Sequence, residues 1–338
     1  MGRERITSQH VAERAGVSQS AVSRVFSGAS ASKDTVRKVR AAAAELGYRP
    51  NVLARSLITG RSRIIGLVVA YLDNQFYPDA LERLSNALQA QGYHVLIFTA
   101  LGRGEGVDRV IGEMLDYQVD GIVMASVGMS DDLAARCEAA GIPVVLFNRG
   151  QDDARLSEVT SDNVAGARKI ADFLTAGGHR RIAHISGWLG SSTGRDRAAG
   201  FRQGLANAGM AVSHQIDGLY KREAAAAAAR EMCSGADRPD AVFVGNDHMA
   251  FAVMDTLRQD LGLSVPGEVS VVGYDDVPMA AWPAYDLTTL RQPSNKMVSA
   301  TVSALMARIK DPGAEPRKIR IDGPLILRGS ARVPEGWT

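Results

Sequence analysis

Two hydrophobic rhythms divide the chain. Between residues 7 and 47 apolar side chains recur at helical spacing and predict three short helices. Val11, Ala12 and Ala15 mark the first, with Thr7 as its cap and Gly16 as its left-handed stop. Ser18 caps a second over residues 19–26, with Ala21, Val22 and Val25 facing inward. Ser32 caps a third through Val36, Val39, Ala43 and Leu46, which Gly47 ends. Beyond residue 63 the rhythm changes to short apolar runs at 64–70, 95–99, 121–125 and 144–147, and then at 181–186, 241–244 and 269–273. Helical stretches such as 78–91, 107–117, 131–140, 164–176, 197–208 and 249–261 separate them. Strands alternating with helices of this length predict parallel sheets, and two sets predict two doubly wound lobes. Ligands of such folds lie outside the carboxyl ends of the strands, so a cleft between the lobes is the expected site.

A helix, an Ala-Gly-Val turn and a second helix form a helix-turn-helix, whose second helix enters the major groove of DNA. Its early residues here are Gln19 and Ser20, with Arg24 one turn on. Gln pairs with adenine, Arg with guanine, and Ser with several base groups. Thr7, Ser18, Ser23, Ser32 and Thr35 are placed for phosphate. The segment from Tyr48-Arg49-Pro50-Asn51 to Leu57 follows. Pro50 ends the third helix and can open another of one or two turns, too short to hold alone, so it needs a partner helix or a DNA groove. Charge changes the picture in the same direction. Residues 1–63 carry 12 Lys+Arg against 4 Asp+Glu, and the remainder 27 against 33. A basic head on an acidic body is expected where only the head meets phosphate.

Other chemistry finds little support. Cys137 and Cys233 stand far apart, which suits neither a disulfide framework nor a metal site, and the six histidines show no ligand spacing. No cofactor or metal is expected. The longest apolar stretch falls far short of a membrane helix, and no apolar signal core follows the charged N-terminus. The expected location is the cytoplasm. Gly190-Ser191-Ser192-Thr193-Gly194 has the hydrolase Gly-x-Ser-x-Gly form, but its serine sits in a loop well after the strand. Gly102-Arg103-Gly104-Glu105-Gly106 misses the dinucleotide fingerprint by one place. The expectation is therefore no enzyme.

Residues 7–57 resemble the lactose-repressor (LacI/GalR) family of bacterial regulators through Ala15-Gly16-Val17-Ser18, Val22-Ser23-Arg24-Val25 and Gly47-Tyr48-Arg49-Pro50-Asn51. The resemblance continues through Asn74-Gln75-Phe76-Tyr77-Pro78, Gly178-His179-Arg180-Arg181-Ile182, Arg197-Ala198-Ala199-Gly200-Phe201, Asn246-Asp247 and Gly273-Tyr274-Asp275-Asp276. It implies a head over 1–60 with a hinge helix at 50–58, and a periplasmic-binding-protein-like body over 61–338 that binds effector and dimerises. The first lobe would take about 61–160 and 288–322, the second about 161–287 and 323–338. Two hinges of a homodimer would enter the minor groove, with Asn51, Ala54 and Arg55 on the DNA and Leu57 as the wedge between base pairs. The implied effector pocket holds Phe76, Tyr77, Asn148, Thr193, Arg197, Tyr220, Asn246 and Asp275. Such amides, a guanidinium and a carboxylate around aromatic faces suit a sugar or sugar derivative. Purine-sensing members place an arginine where Ser191 stands here.

The functional expectation is a ligand-responsive repressor that binds a pseudo-palindromic operator in double-stranded DNA as a dimer, with no membrane partner. A transporter's solute-binding protein would share the body but not the head. No heptad tail follows Leu327-Arg328-Gly329 to support a tetramer.

Overall fold

A computed structural model of the chain describes residues 6–27, 30–49, 61–99 and 105–337. It divides into two compact units, residues 1–63 and 64–338.

The head consists of α1 (Ser8–Ala15), α2 (Gln19–Ser27) and α3 (Lys33–Leu46). Val11 and Ala12, Val22, and Val39, Ala42 and Ala43 bury together as one small core. Gly16 and Gly47 close α1 and α3 at φ 63° and 65°, a region that costs other residues strain. The Ser32 hydroxyl accepts from the Thr35 amide at 3.2 Å, and Ser18 Oγ from the Ala21 amide at the same distance. These are the caps expected from the sequence.

The body opens with β1 (Ile64–Val69), α4 (Phe76–Ala90), β2 (His94–Thr99), α5 (Glu105–Asp116), β3 (Gly121–Ala125), α6 (Asp131–Ala139), β4 (Val144–Phe147) and β5 (Ser157–Ser161). It continues with α7 (Asn163–Ala176), β6 (Ile182–Ser186), α8 (Ser192–Asn207), β7 (Gln215–Asp217), α9 (Arg222–Cys233), β8 (Ala241–Val244), α10 (Asp247–Asp255) and β9 (Ser270–Asp275). The last elements are β10 (Thr288–Arg291), α11 (Ser294–Lys310), β11 (Lys318–Ile321) and β12 (Leu325–Ile326). One sheet has the order β11-β5-β4-β3-β1-β2 and the other β12-β10-β9-β8-β6-β7. Every pairing is parallel except β10 with β12.

Strand alternation shows how the first sheet fills both faces. Leu67, Val123, Val145 and Phe147 pack with Leu84 of α4 and Leu305 of α11. Val68, Ile122, Met124 and Leu146 face Ile111 of α5 and Leu133 of α6. A parallel sheet covered on both faces requires this near-continuous apolar character. In the second sheet Phe243, Val272 and Tyr274 pack under Phe173 of α7 and Phe201 of α8.

Three connections cross between the sheets, and each leaves from the carboxyl end of a strand. The crossings follow Ser161, Arg291 and Ile321. The amide of Asp162 donates to the Ile321 carbonyl at 2.9 Å, and the amide of Arg291 to that of Pro324 at 2.9 Å. Gly323 is held so close that a Cβ there would overlap the Arg291 carbonyl oxygen. The return to the first lobe, expected at residue 288, comes later, because β10 pairs in parallel with β9 and belongs to the second sheet. The polar run Ser-Glu-Val-Thr-Ser gave no apolar signal for β5, yet this strand is wholly buried between β4 and β11.

The α7–α8 contact is close enough to test. A methyl on Gly200 would overlap the Val164 carbonyl, whereas one on Gly112 in α5 would meet nothing within 4 Å. Gly200→Ala should therefore lower unfolding free energy by about 1–3 kcal/mol. Gly112→Ala should leave it unchanged or raise it by up to about 1 kcal/mol. Urea denaturation checks the pair, and equal shifts would refute the overlap.

Candidate functional site

The carboxyl ends of the strands in both sheets converge on one cavity. Tyr71, Asp73, Asn74 and Tyr77 follow β1, Ser126 follows β3, and Asn148 and Arg149 follow β4. From the second lobe come Thr193 and Arg197 on α8, Tyr220 after β7, Asn246 after β8 and Asp275 at the end of β9. The space they line, counted with its mouth, is about 400 Å³.

Helix α8 begins at Ser192 rather than 197, because the Ser191 hydroxyl accepts from the Gly194 amide at 3.1 Å. Thr193 and Arg197 thereby stand one helical turn apart on the cavity side. Arg197 is 2% exposed. Its Nε donates to Asn163 Oδ1 at 2.8 Å and its Nη1 to the Gly245 carbonyl at 2.6 Å. Its guanidinium lies 3.6 Å from the centre of the Tyr274 ring and 3.8 Å from Asp275 Oδ1. Asp275 accepts from Gln292 Nε2 at 2.6 Å and from Asn74 Nδ2, across the lobes, at 3.4 Å.

Other bonds also join the lobes. Arg149 Nη1 donates to Thr193 Oγ1 at 3.3 Å, and the Gly150 amide to Ser192 Oγ at 2.8 Å. Within each lobe, the Thr193 hydroxyl reaches the Tyr220 hydroxyl at 3.0 Å, and Asn148 Nδ2 donates to the Tyr77 hydroxyl at 3.3 Å. Asn148 Oδ1 is buried without a partner among the described residues. A buried amide oxygen left bare costs stability, and a donor on a ligand would remove that cost. The backbone here also takes sparsely populated conformations: φ is 66° at Ser126, 55° at Asn148, 59° at Tyr220 and 137° at Asp275. Such strain concentrates where a fold aims side chains at a site.

Seven expected pocket residues meet here: Tyr77, Asn148, Thr193, Arg197, Tyr220, Asn246 and Asp275. Phe76 does not join them. Its ring packs in the first-lobe core, stacked 6.2 Å from Phe147, because α4 begins at Phe76 and turns that side chain under the sheet. Asn246 also has the simpler role open to it, since its Oδ1 caps α10 by accepting from the Met249 amide at 3.0 Å. Tyr71, Asp73, Asn74, Ser126 and Arg149 were missed. A usable signal existed, for most of them follow closely on predicted apolar strands, where a parallel sheet puts its ligands. Ser192, the serine of the hydrolase-like run, lies in the first turn of α8 and accepts from a backbone amide.

In the head, Gln19, Ser20, Ser23 and Arg24 are all exposed on one face of α2, opposite buried Val22. Gln19 Nε2 donates to Ser8 Oγ at 2.8 Å, which ties the start of α2 to α1. Ser18 and Thr7 are also exposed, at the starts of α2 and α1. The hinge residues Asn51, Ala54, Arg55 and Leu57 lie outside the described residues.

The family model "Bacterial regulatory proteins, lacI family" matches residues 7–51, and that for a periplasmic binding protein-like domain matches residues 171–331. The HTH-type transcriptional repressor PurR of Vibrio campbellii is 30% identical over 330 residues, covering 96% of this chain and 98% of that protein. The chain belongs to the lacI family. Among solved structures of this family, a CelR–cellobiose complex aligns at TM-score 0.72 with 32% identity, covering 97% of this chain and all of that one. A lac repressor dimer bound to operator and the anti-inducer ONPF aligns at TM-score 0.87 with 26% identity, covering 97% and 99%. The lacI-family chain therefore has the expected architecture, a helix-turn-helix region followed by a two-lobed α/β domain of parallel sheets. Among the described residues no helix is long and apolar enough to cross a membrane.

Next in sequence to the cavity residue Asn246 is a second carboxylate, Asp247, which is wholly buried. It accepts from the Thr289 hydroxyl at 2.6 Å and the Val277 amide at 3.0 Å. Burial above all, and then the nearby Asp275, pushes its carboxyl far above the usual carboxylate range. Burial also raises Asp275, while the Arg197 guanidinium pulls it back. Groups raised in this way hold protons in the folded state that the unfolded chain has lost. Their stabilisation is complete below the ordinary carboxylate pKa and is lost as pH rises toward neutrality. Unfolding free energy should thus fall between about pH 4 and pH 7 through these groups. Asp247→Asn should flatten that part of the stability profile, measured by urea denaturation at stepped pH. An unchanged slope would show that Asp247 does not titrate in this range.

Proposed function

We propose that this lacI-family chain is a ligand-controlled repressor, binding a pseudo-palindromic operator as a homodimer and a sugar or sugar derivative in the cavity between its lobes. The observation that carries the ligand class is the cavity lining. Aromatic Tyr71, Tyr77 and Tyr220 stand beside the amides Asn74, Asn148 and Asn246, the hydroxyls Ser126 and Thr193, and the Arg197–Asp275 pair. Aromatic faces take the apolar side of a sugar ring, while the mixed donors and acceptors pair its hydroxyls. The cellobiose complex of a relative supports the same class, and the operator-bound lac repressor dimer supports the DNA and dimer reading. For the DNA side, the exposed face of Gln19, Ser20 and Arg24 reads base edges, with Thr7, Ser18 and Ser23 on phosphate. Asn51, Ala54, Arg55 and Leu57 extend the contact into the minor groove.

Control follows from the bonds that join the lobes. A ligand held by both lobes favours one arrangement of them, and by linkage it changes operator affinity by the factor by which operator changes ligand affinity.

Gel shifts at fixed salt with DNA from upstream of the chain's own gene and its neighbours test the reading. Saturable binding well above that to random DNA is expected, and its absence at every such site would overturn the repressor reading. Gln19→Ala and Arg24→Ala should each cost about 1–3 kcal/mol of operator affinity and relax base preference at one position. With a sugar found by thermal-shift screening, Asp275→Ala should raise the concentration needed to change operator affinity by at least tenfold. A full response at the wild-type concentration would remove Asp275 from the ligand site.

A further inference from the structure

The cavity contains two arginines whose charges are balanced differently. Arg197 has the Asp275 carboxylate at 3.8 Å. Arg149 is also buried, at 8% exposed, but it meets only neutral oxygens: the Ser126 carbonyl at 2.8 Å, Ser126 Oγ at 3.2 Å and Thr193 Oγ1 at 3.3 Å. No carboxylate of the described residues stands within ion-pair distance of it. The other cavity acid, Asp73, is 68% exposed and lies 3.6 Å from His248. The three bonds use Nη1 once and Nη2 twice, so Nε–H and one Nη1–H have no acceptor among the described residues.

A guanidinium cannot escape burial by losing its proton, as a lysine can. A buried charge without a counter-charge is costly, and the cost is relieved by an anion brought against it. Arg149 also stands where the cavity continues into a second space, lined by Gly150, Ser191, Ser192 and the exposed pair of opposite charges Asp152 and Arg195.

We propose that Arg149 receives an anionic group of the effector, which makes the ligand a sugar acid or a sugar phosphate rather than a neutral sugar. The inference rests on the sugar reading of the cleft and narrows it. Charge-assisted bonds to a carboxylate or phosphate are about twice as strong as neutral ones, and a buried one resists screening by salt.

Calorimetric titration of the full-length protein tests this with matched sets: neutral pentoses, hexoses and disaccharides, their aldonic and uronic acids, and their phosphates. At least one acid or phosphate is expected to bind at least tenfold more tightly than its neutral counterpart. The carboxylate and phosphate arms separate the two sources of charge. Arg149→Gln should shrink the anion-to-neutral affinity ratio to near one, and Arg149→Lys should keep part of it. The ratio in the unmodified protein decides the matter even if the variants fail to fold. Neutral sugars that bind as tightly as their anionic counterparts would overturn the proposal and leave the sugar reading standing. No binding by any member of any set would overturn both.

Discussion

The constraint on which the body depends is the handedness and direction of its parallel strands. A parallel strand can be followed by its neighbour only through a crossover, so every strand of a sheet delivers its next loop at the same edge. Here the three connections between the sheets leave from that edge too, after Ser161, Arg291 and Ile321, and backbone hydrogen bonds bind them to one another. Two sheets joined in this way must present their carboxyl edges to a shared space. The cavity is a consequence of that topology, and its lining is whatever residues follow the strands.

Placed at that edge, polar side chains are taken out of water and have to be paired. Most are. Asn163 holds Arg197, Gln292 holds Asp275, and Thr289 holds Asp247. The exceptions carry the information about ligand. Among the described residues Asn148 Oδ1 and Gln292 Oε1 have no donor, and Arg149 has hydroxyl and carbonyl neighbours but no carboxylate within ion-pair distance. Asn148 and Arg149 face the cavity from the first lobe. A partner that satisfies them is favoured for that reason alone.

The head works under a different constraint. Three short helices share a core of small residues, Val11, Ala12, Val22, Val39, Ala42 and Ala43. So thin a core leaves most of α2 outside it, and Gln19, Ser20, Ser23 and Arg24 are displayed on its free face. A helix buried on one narrow stripe is suited to present the other stripe to a groove.

Periodicity, caps and turns are local, and they were legible. The helix-turn-helix followed from the spacing of Val11, Ala12, Val22 and Val39 with Ser18, Ser32, Gly16 and Gly47, and the two parallel sheets from alternating apolar runs and helices. What depended on distant parts of the chain was not. β5 is buried between two other strands, so its Ser-Glu-Val-Thr-Ser run is stabilised by partners that no local pattern reveals. β10 joined the second sheet because its register partner is β9, which moved the lobe boundary past residue 288. Phe76 and Tyr77 are adjacent in sequence, but the start of α4 sends one ring into the core and the other to the cavity. The charge balance of Arg149 was hidden for the same reason, since it is set by neighbours 23 and 44 residues away. By itself, then, the sequence determined the elements, the two-part design and most of the polar residues at the cleft, because these rest on short-range sterics and hydrophobic spacing. Only the tertiary structure decided which polar groups are paired and which still await a partner, because pairing depends on which strand ends the crossovers bring together.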